Sequence, residues 1–352
     1  MLAAVWTGQF QLHVNQTADT LGLESPDSVR IRITAAGICG TDLHIWSGQL
    51  RFVDPPLVLG HEFAGIVEEC GAAVRKVRPG DRVKCDSVVG CGQCERCVRG
   101  ATQFCVAGSE FGITRNGGWT ERLVVPERNL HRIPDAISDE VAAIMDVEVI
   151  GAVSKADVQP TDTVVIFGAG SAGLIALQCA RLAGAARCIV CDAKPNRLAL
   201  ARKLGADVTI DIRSQDPVKA VRELTGGHGA DLAIEAAGSC AALANAIEVL
   251  RPQGRTLLYG VVGSPVPSLH TDLIVLKDLT VLGALTNRTG WNDLIDLVAT
   301  GKLNFASLIT HRFPLADAPD ALRFMQAAEN GGIKAVLTVN PSQAGSGFAH
   351  PA

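Results

Sequence analysis

No apolar run in this 352-residue chain reaches the roughly 18 residues that a membrane-spanning helix requires, so a membrane partner is not expected. Excess positive charge is also lacking. The formal net charge is −4 and the Lys and Arg residues are scattered, whereas a nucleic-acid-binding protein usually carries a basic face. Met1-Leu-Ala-Ala-Val-Trp6 has neither the basic start nor the long apolar core of a secretory signal, and a cytoplasmic location is expected. Charged residues make up 19% against 47% hydrophobic ones, which argues against disorder and leaves enough apolar material for two domains. There is no internal repeat.

Cysteine is present in quantity: eleven, an odd number poorly suited to complete disulfide pairing. Cys91-x2-Cys94-x2-Cys97-x7-Cys105 gathers four of them within fifteen residues on a loop rich in Gly, Gln and Arg. Four thiolates with no position left for water form the closed tetrahedral site of structural zinc, which contributes folding energy; two disulfides are the competing reading. Cys70, Cys179, Cys188, Cys191 and Cys240 lie in apolar strand or helix patterns and read as small core residues. Cys85 falls outside the lobe's spacing and reads as a spare thiol.

A second metal pattern precedes the lobe. Cys39-Gly40-Thr41-Asp42-Leu43-His44 and Gly60-His61-Glu62 fall within 24 residues and combine a soft thiolate with an imidazole. Both suit Zn²⁺, and a catalytic zinc keeps three protein ligands and an open fourth position. Thr41 and His44 lie two and five residues past the thiolate, where a hydroxyl and an imidazole can pass a proton from that position to solvent.

The pattern of the chain changes near residue 150. Before it, short apolar runs such as Val29-Arg-Ile-Arg-Ile-Thr34, Gly65-Ile-Val67, Arg82-Val-Lys84 and Leu123-Val-Val125 are broken by turn signals such as Arg78-Pro79-Gly80-Asp81, which indicates an all-β barrel or sandwich-like domain. From Thr163 the pattern becomes strand–helix–strand, implying a mostly parallel sheet covered by helices. Strands are expected at Thr163–Phe167, Arg187–Cys191, Val208–Ile210, Asp231–Ile234 and Thr256–Tyr259. Helices are expected at Ser171–Leu182, Pro217–Leu224 and Ala241–Leu250.

Between the first strand and helix lies Gly168-Ala169-Gly170-Ser171-Ala172-Gly173, the context that gives a GxGxxG meaning. Gly168 permits the tight turn, Gly170 lets backbone approach a pyrophosphate, and Gly173 lets helix pack on strand. The N–H groups at Ser171 and Ala172 open the helix towards the phosphates. Asp192, nineteen residues beyond Gly173, ends the next strand, where a carboxylate accepts from the adenosine ribose hydroxyls and repels a 2′-phosphate. NAD is therefore the expected dinucleotide. Arg187, Lys194 and Arg197 nearby leave NADP open.

Cys39-Gly-Thr-Asp, Gly60-His-Glu, the four-cysteine lobe and Gly168-Ala-Gly-Ser-Ala-Gly, in this order and spacing, resemble the zinc-dependent medium-chain alcohol dehydrogenases over about residues 20–340. The resemblance implies an α/β protein: a Rossmann doubly wound parallel sheet at 151–286, inserted in a GroES-like β-barrel catalytic domain at 1–150 and 287–340. The structural zinc lobe would span 85–106 and a tail 341–352, with the active site in the cleft between the domains. It also implies one catalytic and one structural Zn²⁺ per subunit. The third catalytic ligand falls at Asp146, five residues before Gly151, and Glu62 replaces or exchanges with a water ligand in such enzymes. Thr41 accepts the substrate proton and hands it through the nicotinamide ribose to His44. Arg197 joins Asp192 at the cofactor, Val262 supplies backbone to the carboxamide, and Lys334 matches the basic residue near the pyrophosphate.

Glu62, Asp146 and Glu148 give the pocket an acidic inner shell, which favours a polyol, with Trp46 and Phe111 as expected pocket walls. Glu148 departs from the family pattern and reads as a substrate-hydroxyl acceptor, a ligand or an ion-pair partner. Sorbitol-type relatives carry an Arg five residues before the tryptophan matching Trp291; here that position is Thr286, with Arg288 displaced by two. The expected activity is hydride transfer from a secondary alcohol, a polyol or sugar alcohol, to NAD, giving a ketone. The alternatives are an L-threonine 3-dehydrogenase, suggested by Cys39-Gly-Thr-Asp-Leu-His-Ile45, a simple secondary-alcohol or diol dehydrogenase, and an inactive zinc-binding regulator of the same fold. The last is opposed by retention of every catalytic position. A homo-oligomer is expected, a tetramer rather than a dimer.

Overall fold

A computed structural model describes residues 1–18, 22–23, 25–145, 149–263, 269–285, 290–327 and 331–339. Asp146, Glu148, Thr286 and Arg288 lie outside the described residues. The chain divides into two compact units, Met1–Asp146 with Ile309–Ala352, and Val147–Leu308.

The first unit is built on antiparallel sheet. Strand Ser28–Ile38, Val/Ile-rich and buried along most of its length, is its axis. It pairs with Phe63–Cys70, with Arg122–Pro126 and with Lys334–Thr338. The sheet continues through Arg82–Cys85 to Leu130–Arg132 on one side, and through Lys334–Thr338 to Ile309–Pro314 on the other. Two of its strands thus come from the far end of the chain. The core beneath them includes Ile31, Ile33, Ile38, Leu59, Phe63, Trp119 and Leu337, none more than 1% exposed. Helix Asp139–Ile144 starts at Ser138, whose side chain accepts from the Val141 N–H. It is held by Arg82 on Asp139 at 2.6 Å and by Arg312 on Glu140 at 2.8 Å. At its last turn the ammonium of the fully buried Lys84 donates to the Ala143 carbonyl at 2.9 Å.

The second unit is a six-stranded parallel sheet in the order Val208–Asp211, Arg187–Asp192, Thr163–Phe167, Ala230–Glu235, Leu250–Leu258, Thr280–Gly283. The order reverses between Thr163–Phe167 and Ala230–Glu235, the doubly wound arrangement whose switch point sits at the carboxyl ends of those two strands. The central strands are continuously buried, as expected for sheet covered on both faces. Expected strands and helices from Thr163 to Leu258 form within one or two residues of their sequence boundaries, apart from the last strand, which begins at Leu250. The chain leaves this unit at Leu308 rather than near residue 287. Helix Trp291–Ala299 belongs to it, and the Gln178 side-chain carbonyl, on helix Ser171–Leu182, accepts from the Asn304 N–H at 2.7 Å.

Candidate active site

Strand Ser28–Ile38 ends one residue before Cys39, which caps helix Gly40–Trp46. The third helical residue, Asp42, returns a carboxylate oxygen to the Cys39 N–H at 2.8 Å. Its other oxygen lies 3.4 Å from His61 Nδ1. Asp42 is fully buried and His61 nearly so. Burial opposes the charged imidazolium, but Asp42 and then Cys39 override it and raise His61 well above the usual histidine range. A carboxylate on one ring nitrogen fixes the tautomer and leaves the other nitrogen for a ligand bond. At 3.4 Å the two atoms face each other as an ion pair, a little beyond a close hydrogen bond.

Cys39 Sγ, a His61 ring nitrogen and a Glu62 carboxylate oxygen lie within 4.8 Å of one another. Soft sulfur, imidazole and carboxylate at this spacing are a donor set that fits zinc. Glu62 is also gripped by Lys334, whose ammonium donates to both carboxylate oxygens at 2.7 and 2.8 Å. Lys334 was expected beside the pyrophosphate. It is 2% exposed with its ammonium paired to Glu62, and the charges of Glu62, Cys39 and Asp42 outweigh burial and raise its pKa. Pairing is what allows a carboxylate and an ammonium both to stay buried.

Thr41 lies 4.0 Å (Oγ1 to Sγ) from Cys39, on the same helix as His44 and three residues before it. His44 is exposed and its Nδ1 meets the Gln49 side chain. Trp46 and Phe111, expected as pocket walls, are core residues. Trp46 stacks edge-on against Phe10, and Phe111 is fully enclosed by Phe63 and the guanidinium of Arg115.

In the lobe, Cys91 Sγ and Cys97 Sγ are 4.0 Å apart and Cys94 Sγ and Cys105 Sγ 3.8 Å. All four sulfurs lie within 4.8 Å, and none is in a disulfide. Zn–S bonds of about 2.3 Å in a tetrahedron put sulfurs about 3.8 Å apart, so the cage fits that ion. Backbone N–H groups of Gln93 and Cys94 lower the Cys91 thiol to about 6, favouring the thiolate. Elsewhere, burial pushes Cys179 and Cys191 up to about 12, the state of inert core thiols. Cys85 and Cys188 are buried too, while Cys70 and Cys240 are partly exposed.

In the second unit the glycine loop joins strand Thr163–Phe167 to helix Ser171–Leu182. A Cβ on Gly173 would overlap the Gly168 carbonyl oxygen, so helix and turn require glycine there. A Cβ on Gly170 would meet nothing nearer than Arg197 Nη1 at 3.9 Å. Nothing inside the protein forbids a side chain at Gly170; the open space is the cradle a pyrophosphate needs. Asp192, at the strand end, accepts from the Ala169 N–H at 2.7 Å and the Lys194 N–H at 2.8 Å, so it braces the glycine loop. Arg197 and Lys194 stand beside it, each lowered by burial and partly restored by Asp192. Val262 lies on the loop after strand Leu250–Leu258 and is half-buried.

Two features of the first site were not read from sequence: Asp42 as the partner of His61, and the contact between Lys334 and Glu62. Asp42 had a local signal: an acid three residues after Cys39, the spacing of a helix N-terminal capping pair. The Lys334–Glu62 pair spans 272 positions and has none.

A zinc-fitting thiolate–imidazole site, a four-sulfur cage and a dinucleotide-type parallel sheet define a zinc- and nicotinamide-dependent dehydrogenase. Residues 25–135 match the alcohol dehydrogenase GroES-like domain and residues 172–300 the zinc-binding dehydrogenase domain. The chain belongs to the zinc-dependent medium-chain alcohol dehydrogenase family. It is 34% identical over 323 residues to a D-arabitol-phosphate dehydrogenase of Enterococcus avium, covering 90% of this chain and 91% of the relative. It is 33% identical over 314 residues to an L-threonine 3-dehydrogenase of Bacillus subtilis (strain 168), covering 87% and 90%. Among solved structures, an alcohol dehydrogenase from Thermus sp. ATN1 superposes with a TM-score of 0.88 at 33% identity, over 97% of this chain and all of that one.

Proposed function

We propose that this protein oxidises a secondary alcohol of a polyol or sugar alcohol to the ketone, with NAD as hydride acceptor. The observation that carries the reading is the convergence of Cys39, His61 and Glu62 donors within 4.8 Å, with Asp42 orienting the imidazole. Zinc held by Cys39 and His61, with Asp146 as the expected third ligand, supplies Lewis-acid stabilisation of the alkoxide when bound. The chain's own residues do the rest. Thr41 takes the hydroxyl proton, and His44, exposed on the same helix, delivers it to solvent. The glycine loop and Asp192 hold the dinucleotide by its pyrophosphate and ribose. The four-cysteine cage holds the structural zinc.

A polyol is favoured by the acidic residues near the metal and by a relative that acts on D-arabitol phosphate. Self-association is part of the reading: strand Thr280–Gly283 is a sheet edge, and Val275 and Leu276 beside it are 80% and 79% exposed. The deciding experiment follows NADH absorbance while the zinc-loaded enzyme meets sugar alcohols, their phosphates, diols and L-threonine. Turnover of L-threonine far above every polyol would overturn the substrate assignment, and equal use of NADP would overturn the cofactor preference.

A further inference from the structure

We propose that Trp119 is a positioning residue for the catalytic metal site, clamping the backbone of both ligand-bearing segments at once. The inference rests on Cys39 and His61 being ligands. Trp119 is fully buried, far in sequence from both, and its indole N–H donates to the Gly37 carbonyl at 3.1 Å. Gly37 is two residues before Cys39, at the end of strand Ser28–Ile38. The same residue's backbone N–H donates to Leu59 at 3.0 Å, and its neighbour Gly118 donates to Gly60 at 2.8 Å, the two residues leading into His61.

The ring itself fills the space over Gly60. Gly60 has φ +93°, and a Cβ there would drive into the indole, so the residue before His61 is glycine for two independent reasons. Gly37 closes the square: its N–H donates to the Glu62 carbonyl at 2.8 Å. One side chain therefore fixes the distance between the peptide that presents the thiolate and the peptide that presents the imidazole. A core tryptophan that served packing alone would not need its only polar atom aimed at the strand end next to a ligand. Metal ligands must be held within fractions of an ångström, and such supporting contacts change affinity about 10- to 100-fold.

Trp119→Phe keeps most of the ring and removes the donor. With both sites loaded, zinc loss to a chelator should be about tenfold faster from the Cys39 site and unchanged from the four-cysteine lobe. Cobalt placed in the Cys39 site should show shifted visible bands. Ile31→Val, a core truncation in the same unit, is the control: metal loss as fast as in Trp119→Phe at an equal drop in melting temperature would overturn the proposal. Should Trp119→Phe fail to fold, the wild type carries the test, because coupling between sites is reciprocal. Loading the Cys39 site should slow hydrogen exchange at the Trp119 indole N–H about tenfold, with Trp291 in the second unit as internal reference. No slowing overturns the clamp. Failure of the underlying reading looks different: wild type would then bind a single zinc per subunit, at the lobe.

Discussion

Replacing Asp42 by Asn isolates what orientation of His61 is worth. The side chain is fully buried and serves two donors with two acceptor oxygens: the Cys39 N–H at 2.8 Å and His61 Nδ1 at 3.4 Å. An amide of the same shape has one acceptor oxygen and one NH₂. If the oxygen stays on Cys39, the NH₂ faces His61 Nδ1 and forces the proton to the other ring nitrogen, the one needed for zinc. If the amide flips, the Cys39 N–H faces a donor and the helix start loosens. Either way one partner is lost, and second-sphere losses of this kind weaken metal binding or activity 10- to 100-fold, about 1.4–2.7 kcal/mol. The assay is competition with a graded chelator, with zinc counted by elemental analysis and turnover followed in the same samples. The lobe should keep its zinc throughout. Unchanged affinity at the Cys39 site together with unchanged turnover would refute the orientation argument.

Three other outcomes are expected. Burial holds the His131 imidazole down to about 4, with Lys84 adding to this and Asp86 opposing it. Its folded pKa is thus depressed below the unfolded 6.5, so it contributes stability above that pH and loses it as the pH falls towards 4, by about 3 kcal/mol in all. His131→Gln should flatten the urea-measured stability over that interval, and an unaltered slope would count against it. Cys97→Ser should release the lobe zinc and lower the melting temperature while the Cys39 site keeps its metal; two zincs per subunit in the variant would contradict a four-sulfur cage. Asp192→Ser should shift the NADP/NAD ratio of kcat/KM upwards and weaken both cofactors, since Asp192 also holds the Ala169 N–H; a ratio that does not move would remove the ribose argument.

The chemistry here was legible wherever it was local. Cys39 and His61 stand out because thiol and imidazole flank short glycine-marked turns, and the lobe because its four cysteines lie within one loop. The parallel sheet was legible through period: apolar runs such as Thr163–Phe167 alternate with helical stretches such as Ser171–Leu182, and both form at those bounds. What sequence could not show depends on contacts across long separations. The contact of Lys334 with Glu62 was not legible because family position says nothing of a pairing across 272 positions. Trp119 reads as one more apolar residue until its N–H is seen on Gly37. Trp46 and Phe111 went astray because aromatic character does not distinguish a pocket wall from a core ring. The exit at Leu308 was missed because the Gln178–Asn304 bond links positions 126 apart.

The sheet of the first unit is complete only when Lys334–Thr338 pairs with strand Ser28–Ile38 and carries Ile309–Pro314 on its outer side. During synthesis the whole of Val147–Leu308 leaves the ribosome before those strands exist. Until then the growing chain holds residues 35–38 of strand Ser28–Ile38 without their partner and Glu62 without its ammonium. A lone buried carboxylate costs several kcal/mol, so Glu62 stays hydrated and that part of the barrel open to water. The Rossmann unit is contiguous and can mature first. The metal-binding half, begun before that unit, is finished after it, and Lys334, which completes its charge balance, follows the whole of Val147–Leu308. A ribosome stalled before Lys334 would therefore present a folded nucleotide-binding unit attached to an unfinished, edge-exposed sheet, the form on which chaperones and proteases act.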